Sequence, residues 1–200
     1  MKIGILISGR GSNMTAIVEA VESGRIPDSQ VAVVVSDKAN AEGLRKAKER
    51  GIETLVIERN ERKRAEHDTE IVAELKKRAV ELVCLAGYMR LLSPEFVRAF
   101  PNKILNIHPS LLPSFKGLDA QRQAIEYGVK FSGCTVHFVD ENLDNGAIVA
   151  QTVVEVKDDD TAETLAARIL EREHQLYVES IARIVEGKFE IRGRHVKEKK

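Results

Sequence analysis

The chain has 200 residues, with 31 basic and 31 acidic side chains that cancel at neutral pH. That length fits one domain burying roughly 70% of its unfolded surface, without a disulfide or metal staple. Balanced charge gives no general drive toward nucleic acid or an anionic membrane, and no apolar run approaches a membrane span or a secretory leader. Cys84 and Cys134 both lie inside apolar runs and read as buried, reduced thiols. These features together describe a soluble cytoplasmic protein.

Residues 1–8 read as a buried strand, because Ile3, Ile5, Leu6 and Ile7 form a short apolar run that ends at a glycine-rich turn. Met14, Ile17, Val18 and Val21 then recur at helical spacing. The pattern predicts strands at 31–36, 53–57, 82–86 and 103–108, and helices at 39–50 and about 61–78. Strands alternating with helices argue for a Rossmann-like, doubly wound, mostly parallel α/β sheet covered on both faces.

Beyond residue 108 the pattern changes. Residues 110–116 read as a loop and 119–127 as a short helix. Two strand-like runs, 133–139 and 147–156, are joined by 140–146, which ends in Asn145-Gly146, a hairpin signal. The later half is therefore expected to be antiparallel. A helix from about 161 to 186 follows, with Asp160 and Glu163 placed as a capping box. Residues 188–200 read as a short strand and then a frayed basic tail from Arg192 to Lys200.

The first strand runs through Ser8-Gly9-Arg10-Gly11-Ser12-Asn13 directly into a helix. Glycines allow a tight turn and a close ligand approach. Ser12 and Asn13 suit an N-cap, and the N–H groups of a helix start attract phosphate. Met14 stands at the third glycine of the dinucleotide fingerprint, so a monophosphate fits better than NAD. Asp37 could hold a ribose or equally cap the next helix.

The most informative segment is Ile104-Leu105-Asn106-Ile107-His108-Pro109. Residues two apart on a strand face one side, so Asn106 and His108 point together at the strand's C-terminal end. An amide can hold a developing oxyanion and an imidazole can move a proton near neutral pH. A hydrogen-bonded core Asn and His would explain the pair as well. With no Ser or Cys nucleophile motif beside them, direct transfer fits better than a covalent intermediate. His137 alternates with Cys134, Val136 and Phe138 and reads as structural. His67, His174 and His195 lie among charges and read as surface residues, and the histidines show no metal-ligand spacing. Along the last helix, Leu165, Ile169, Leu176, Tyr177, Ile181 and Ile184 form an apolar stripe with Glu173 near its middle. A carboxylate there needs a partner, either an internal cation or a bound substrate.

Three blocks carry a resemblance: Ile7-Ser8-Gly9-x-Gly11-Ser12-Asn13, Leu85-Ala86-Gly87-Tyr88-Met89-Arg90-Leu91-Leu92, and Asn106-Ile107-His108-Pro109-Ser110-Leu111-Leu112-Pro113. The chain resembles the glycinamide ribonucleotide formyltransferase family over residues 1 to about 187. The resemblance implies one formyltransferase-fold domain, with a phosphate-binding half of about 1–100, a folate-binding and catalytic half of about 101–187, and a C-terminal extension at 188–200.

It also implies 10-formyltetrahydrofolate as co-substrate, with no metal, and formyl transfer to the primary amine of glycinamide ribonucleotide in purine synthesis. By the same resemblance, Asn106, His108 and Asp144 are catalytic. The ribonucleotide would meet Gly11, Ser12 and Asn13, together with Leu170, Glu171, Arg172 and Glu173. Folate would meet Arg64, Met89, Arg90, Leu91, Leu92, Asn106, Asp140, Glu141, Asn142, Leu143 and Asp144. The residues alone do not choose Asp144 over Asp140 or Glu141. Asp119, Ala147 and Leu170 depart from commoner forms of the family. The partners implied are small molecules, with the protein a monomer or homodimer. Other folate formyl enzymes share the second and third blocks, and a non-catalytic nucleotide-binding module would explain the glycine turn but not Asn106 with His108.

Overall fold

A computed structural model describes residues 1–199, leaving Lys200 of the basic tail outside the described residues. The chain divides into two compact units, Met1–Asn106 and Ile107 onward.

The first unit holds β1 (Lys2–Ile7), α1 (Ser12–Glu22), β2 (Gln30–Ser36), α2 (Glu42–Glu49), β3 (Thr54–Val56), α3 (Arg64–Lys77), β4 (Leu82–Leu85) and α4 (Pro94–Ala99). β5 (Ile104–His108) begins in this unit and ends in the second. The strands run β3-β2-β1-β4-β5, each parallel to its neighbours. Ile3, Ile5, Leu6 and Ile7 of β1 are all fully buried, which accounts for the continuous apolar run, since a parallel sheet is covered on both faces. Each such side chain contributes about 1.5–3 kcal/mol on burial. Met14, Ile17 and Val18 of α1 are buried at the spacing the sequence shows. The strand order reverses between β1 and β4, and ligands of open α/β sheets bind beyond the carboxyl ends of strands at such a switch point.

In the second unit α5 (Ala120–Tyr127) precedes β6 (Phe131–Phe138) and β7 (Ile148–Glu155), which pair antiparallel as the hairpin signal predicts. The register shifts between Val136 and His137. The returning loop passes so close to the Phe138 carbonyl that a Cβ on Gly146 would lie 1.8 Å from its oxygen. α6 (Ala162–Val185) packs on both strands.

Several expectations are corrected. Ser12 and Asn13 do not cap α1; Gly11 takes the cap position at a left-handed φ of 68°. α2 starts at Glu42 behind Ala41, so Asp37 is not its cap. α4 escaped the periodicity reading because it has six residues, although Ser93-Pro94 marks its start and Ser93 Oγ accepts from the Phe96 N–H at 3.2 Å. The box at α6 uses Thr161 and Thr164, each side-chain oxygen accepting from the other's N–H. Asp160 instead accepts twice from Arg168 and once from the Thr164 hydroxyl. The tail is not frayed over its described length: β8 (Phe189–Arg192) and β9 (His195–Glu198) pair antiparallel, and β9 meets β7. His67 is buried, with Nε2 2.7 Å from the Ile57 carbonyl oxygen, and His174 is half-buried; only His195 of the three is exposed.

Candidate active site

In the first unit, Gly11 sits where a side chain cannot fit. A Cβ there would lie 2.8 Å from the Gly43 Cα, and the φ of 68° is itself unfavourable for other residues. The Gly43 N–H donates to the Gly9 carbonyl at 3.0 Å, so α2 braces the turn from behind. Gly11 and Asn13 are buried and Ser12 half-buried. The cap residue offers no side-chain oxygen to the helix start, an arrangement suited to an anion.

The loop after β4 lies at the same edge of that sheet. Met89 and Leu91 are more than half exposed. Arg90 turns inward, its Nε donating to Asp37 Oδ2 at 2.5 Å. Arg64, the first residue of α3, joins Arg59, His67, Met89, Arg90 and Leu91 around a cavity of about 240 Å³. Burial, reinforced by Asp37 and Asp68, pushes the Tyr88 hydroxyl above its ordinary value.

Asn106 and His108 lie two residues apart in β5, Asn106 half-buried and His108 buried. Within the second unit, His108 Nε2 is 2.9 Å from the Phe115 carbonyl oxygen and Nδ1 is 3.5 Å from Asp144 Oδ2. Both ring nitrogens thus face acceptors, and a ring carrying hydrogens on both would satisfy both. The Gly117 N–H donates to the same Asp144 oxygen at 2.9 Å. Asp144 itself has a left-handed φ of 44°, as does Phe115 at 52°; the carboxylate and the carbonyl that hold the imidazole both come from strained loop backbone. Asp140 stabilises the rest of the loop by accepting from the Asn142 N–H at 2.8 Å. Glu141, Asn142 and Leu143 are exposed. Asp119, one of the departures noted above, precedes α5 at a φ of 56°.

His137 is hydrogen-bonded and buried, as the sequence reading expects, and it also approaches Asp144, which that reading does not foresee. Its Nδ1 donates to the Phe138 carbonyl at 2.9 Å, which leaves Nε2 3.7 Å from Asp144 Oδ1. Burial pushes its pKa below the ordinary value of 6.5, against the opposing pull of that carbonyl and of Asp144. Asp144 therefore stands between two imidazoles. The available signal was the strand period: Thr135 and His137 share a face, and the Thr135 hydroxyl donates to the Ser110 carbonyl at 2.7 Å, just after β5.

Glu173 is buried on α6, facing β6 closely enough to help raise the Cys134 thiol, which burial chiefly drives up to about 12. Leu170 is half-buried, while Glu171 and Arg172 are exposed. Among the described residues, no group of three or more His, Cys, Asp or Glu is placed to hold a metal ion.

The chain matches the formyl transferase family over residues 1–181. Phosphoribosylglycinamide formyltransferase of Haemophilus influenzae is 44% identical over 192 residues, 96% of this chain and 90% of its own length. The trifunctional purine biosynthetic protein adenosine-3 of Gallus gallus is 45% identical over 96% of this chain, which spans only 19% of that longer protein. Among solved structures, glycinamide ribonucleotide transformylase 1 from Symbiobacterium toebii superposes with a TM-score of 0.97 at 49% identity, covering 99% of this chain and 93% of the other.

Proposed function

The chain belongs to the formyl transferase family, and we propose that it moves the formyl group of 10-formyltetrahydrofolate to the primary amine of glycinamide ribonucleotide. The observation that carries this reading is the imidazole of His108 held between Asp144 and the Phe115 carbonyl, two residues along one strand from Asn106. The amine attacks the formyl carbon directly, and the carbonyl oxygen becomes an oxyanion. The Asn106 amide donates to that oxygen, where preorganised donors stabilise developing charge. The attacking nitrogen loses a proton, the folate nitrogen gains one as its bond to the formyl carbon breaks, and His108 assists that transfer directly or through a water.

The helix start at Gly11, Ser12 and Asn13 suits the ribonucleotide's phosphate. Glu173 supplies a buried carboxylate for the amine or a ribose hydroxyl. Met89, Leu91 and Leu92 offer apolar surface to the folate ring system, and Arg64 lies by the adjoining cavity, where it would meet the glutamate end. Incubating the protein with glycinamide ribonucleotide and 10-formyltetrahydrofolate labelled at the formyl carbon tests the reading. Label in the ribonucleotide is expected; label released as free formate overturns it.

A further inference from the structure

Asp37 is 5% exposed, and an ionised carboxylate at that depth requires partners. It has two. The Ser8 hydroxyl donates to Oδ1 at 2.6 Å, and Arg90 Nε donates to Oδ2 at 2.5 Å. The Ser8 oxygen in turn accepts from the Met89 N–H at 2.9 Å, while the Ser8 N–H donates to the Gly87 carbonyl at 3.1 Å. Ser8 opens the turn that leads through Gly9 and Gly11 into α1, and Met89 and Arg90 lie in the loop that follows β4 through Gly87. One buried carboxylate and one hydroxyl thus fasten two glycine turns into a single hydrogen-bonded body within the first unit. The Arg90 side chain, about a third exposed, could leave only by stranding a buried charge, which is costly.

We propose that Ser8 and Asp37 are positioning residues that couple the two ligand loops, so that ribonucleotide on the Gly11 turn and folate on the Met89 loop bind with positive cooperativity. The inference rests on the assignment of those two ligands under the proposed function. Its physical basis is ordering. The ligand that arrives first immobilises both turns, and the second ligand then binds to loops already fixed. By linkage the factor is the same in either order.

Calorimetry on the full chain measures the Kd of glycinamide ribonucleotide alone and at saturating tetrahydrofolate, which carries no formyl group to transfer. In the wild type the ribonucleotide Kd should tighten about fivefold or more, the lower end of typical couplings. Asp37→Asn keeps the shape and an acceptor for Ser8 but drops the charge, and Ser8→Ala removes the acceptor for Met89. In each, the ratio should fall toward one while both ligands still bind singly, and the KM for folate should rise by a larger factor than kcat falls. A wild-type ratio near one overturns the inference while leaving the proposed function standing, whether or not the variants fold. Variants that retain the wild-type ratio overturn it as well. Failure of the wild type to bind either ligand overturns the proposed function and this inference with it.

Discussion

His108 Nδ1 and Asp144 Oδ2 lie 3.5 Å apart, and the same carboxylate oxygen also takes the Gly117 N–H. The imidazole is therefore oriented by a group that is itself fixed by backbone. Asp144→Asn keeps an acceptor for Gly117 and removes the charge. Turnover should fall by about 10²-fold, within the range of acid–base contributions, with ribonucleotide binding little changed. Steady-state kinetics with calorimetric Kd values would check the split.

His108→Ala removes the ring altogether. Here kcat is expected to drop by about 10²–10⁴-fold, with a much smaller loss of ribonucleotide affinity. Turnover comparable to the wild type would exclude His108 from the chemistry.

His137 gives the fold a pH dependence with a definite sign. Burial lowers its pKa in the folded chain below the ordinary 6.5, so the unfolded chain binds the proton first as pH falls. The associated stability is fully present above 6.5 and is lost as pH drops toward the folded-state pKa, at no more than about 1.4 kcal/mol per pH unit. Denaturant unfolding of the wild type and His137→Gln, above and below 6.5, should show this part of the slope missing in the variant.

Gly11→Ala places a Cβ 2.8 Å from the Gly43 Cα on backbone with a φ of 68°. Strain of that kind costs about 1–3 kcal/mol. Thermal unfolding should report the loss, and the ribonucleotide Kd should weaken because the helix start that would hold phosphate is displaced.

Glu173→Gln keeps the volume of a side chain only 7% exposed and removes its charge. Hydrogen bonds to a charged group contribute about 1.5–3 kcal/mol. The KM for glycinamide ribonucleotide should therefore rise at least about tenfold, with kcat affected less. An unchanged KM would return Glu173 to a purely structural role.

The sequence made the parallel half of the fold legible because both-face burial leaves unbroken runs such as Ile5-Leu6-Ile7. It made Asn106 and His108 legible as a pair because the strand period is two and Pro109 follows at once. Asp144 was not legible from its neighbours. What distinguishes it from Asp140 is a left-handed backbone and a hydrogen bond to Gly117, 27 residues away. His67 was misread because its charged neighbours in α3 conceal a contact with the Ile57 carbonyl. Asp37 was ambiguous for a related reason: its partners, Ser8 and Arg90, stand 29 and 53 residues distant. Cap positions failed locally, at α1 because a glycine in left-handed conformation replaced the polar residue that normally serves.

The most direct test of the account is a spectrophotometric assay of 10-formyltetrahydrofolate consumption, with and without glycinamide ribonucleotide. Consumption that requires the ribonucleotide and matches its formylation mole for mole is the predicted result. Consumption at the same rate without the ribonucleotide, which would make the protein a deformylase, or no consumption at all, would contradict it.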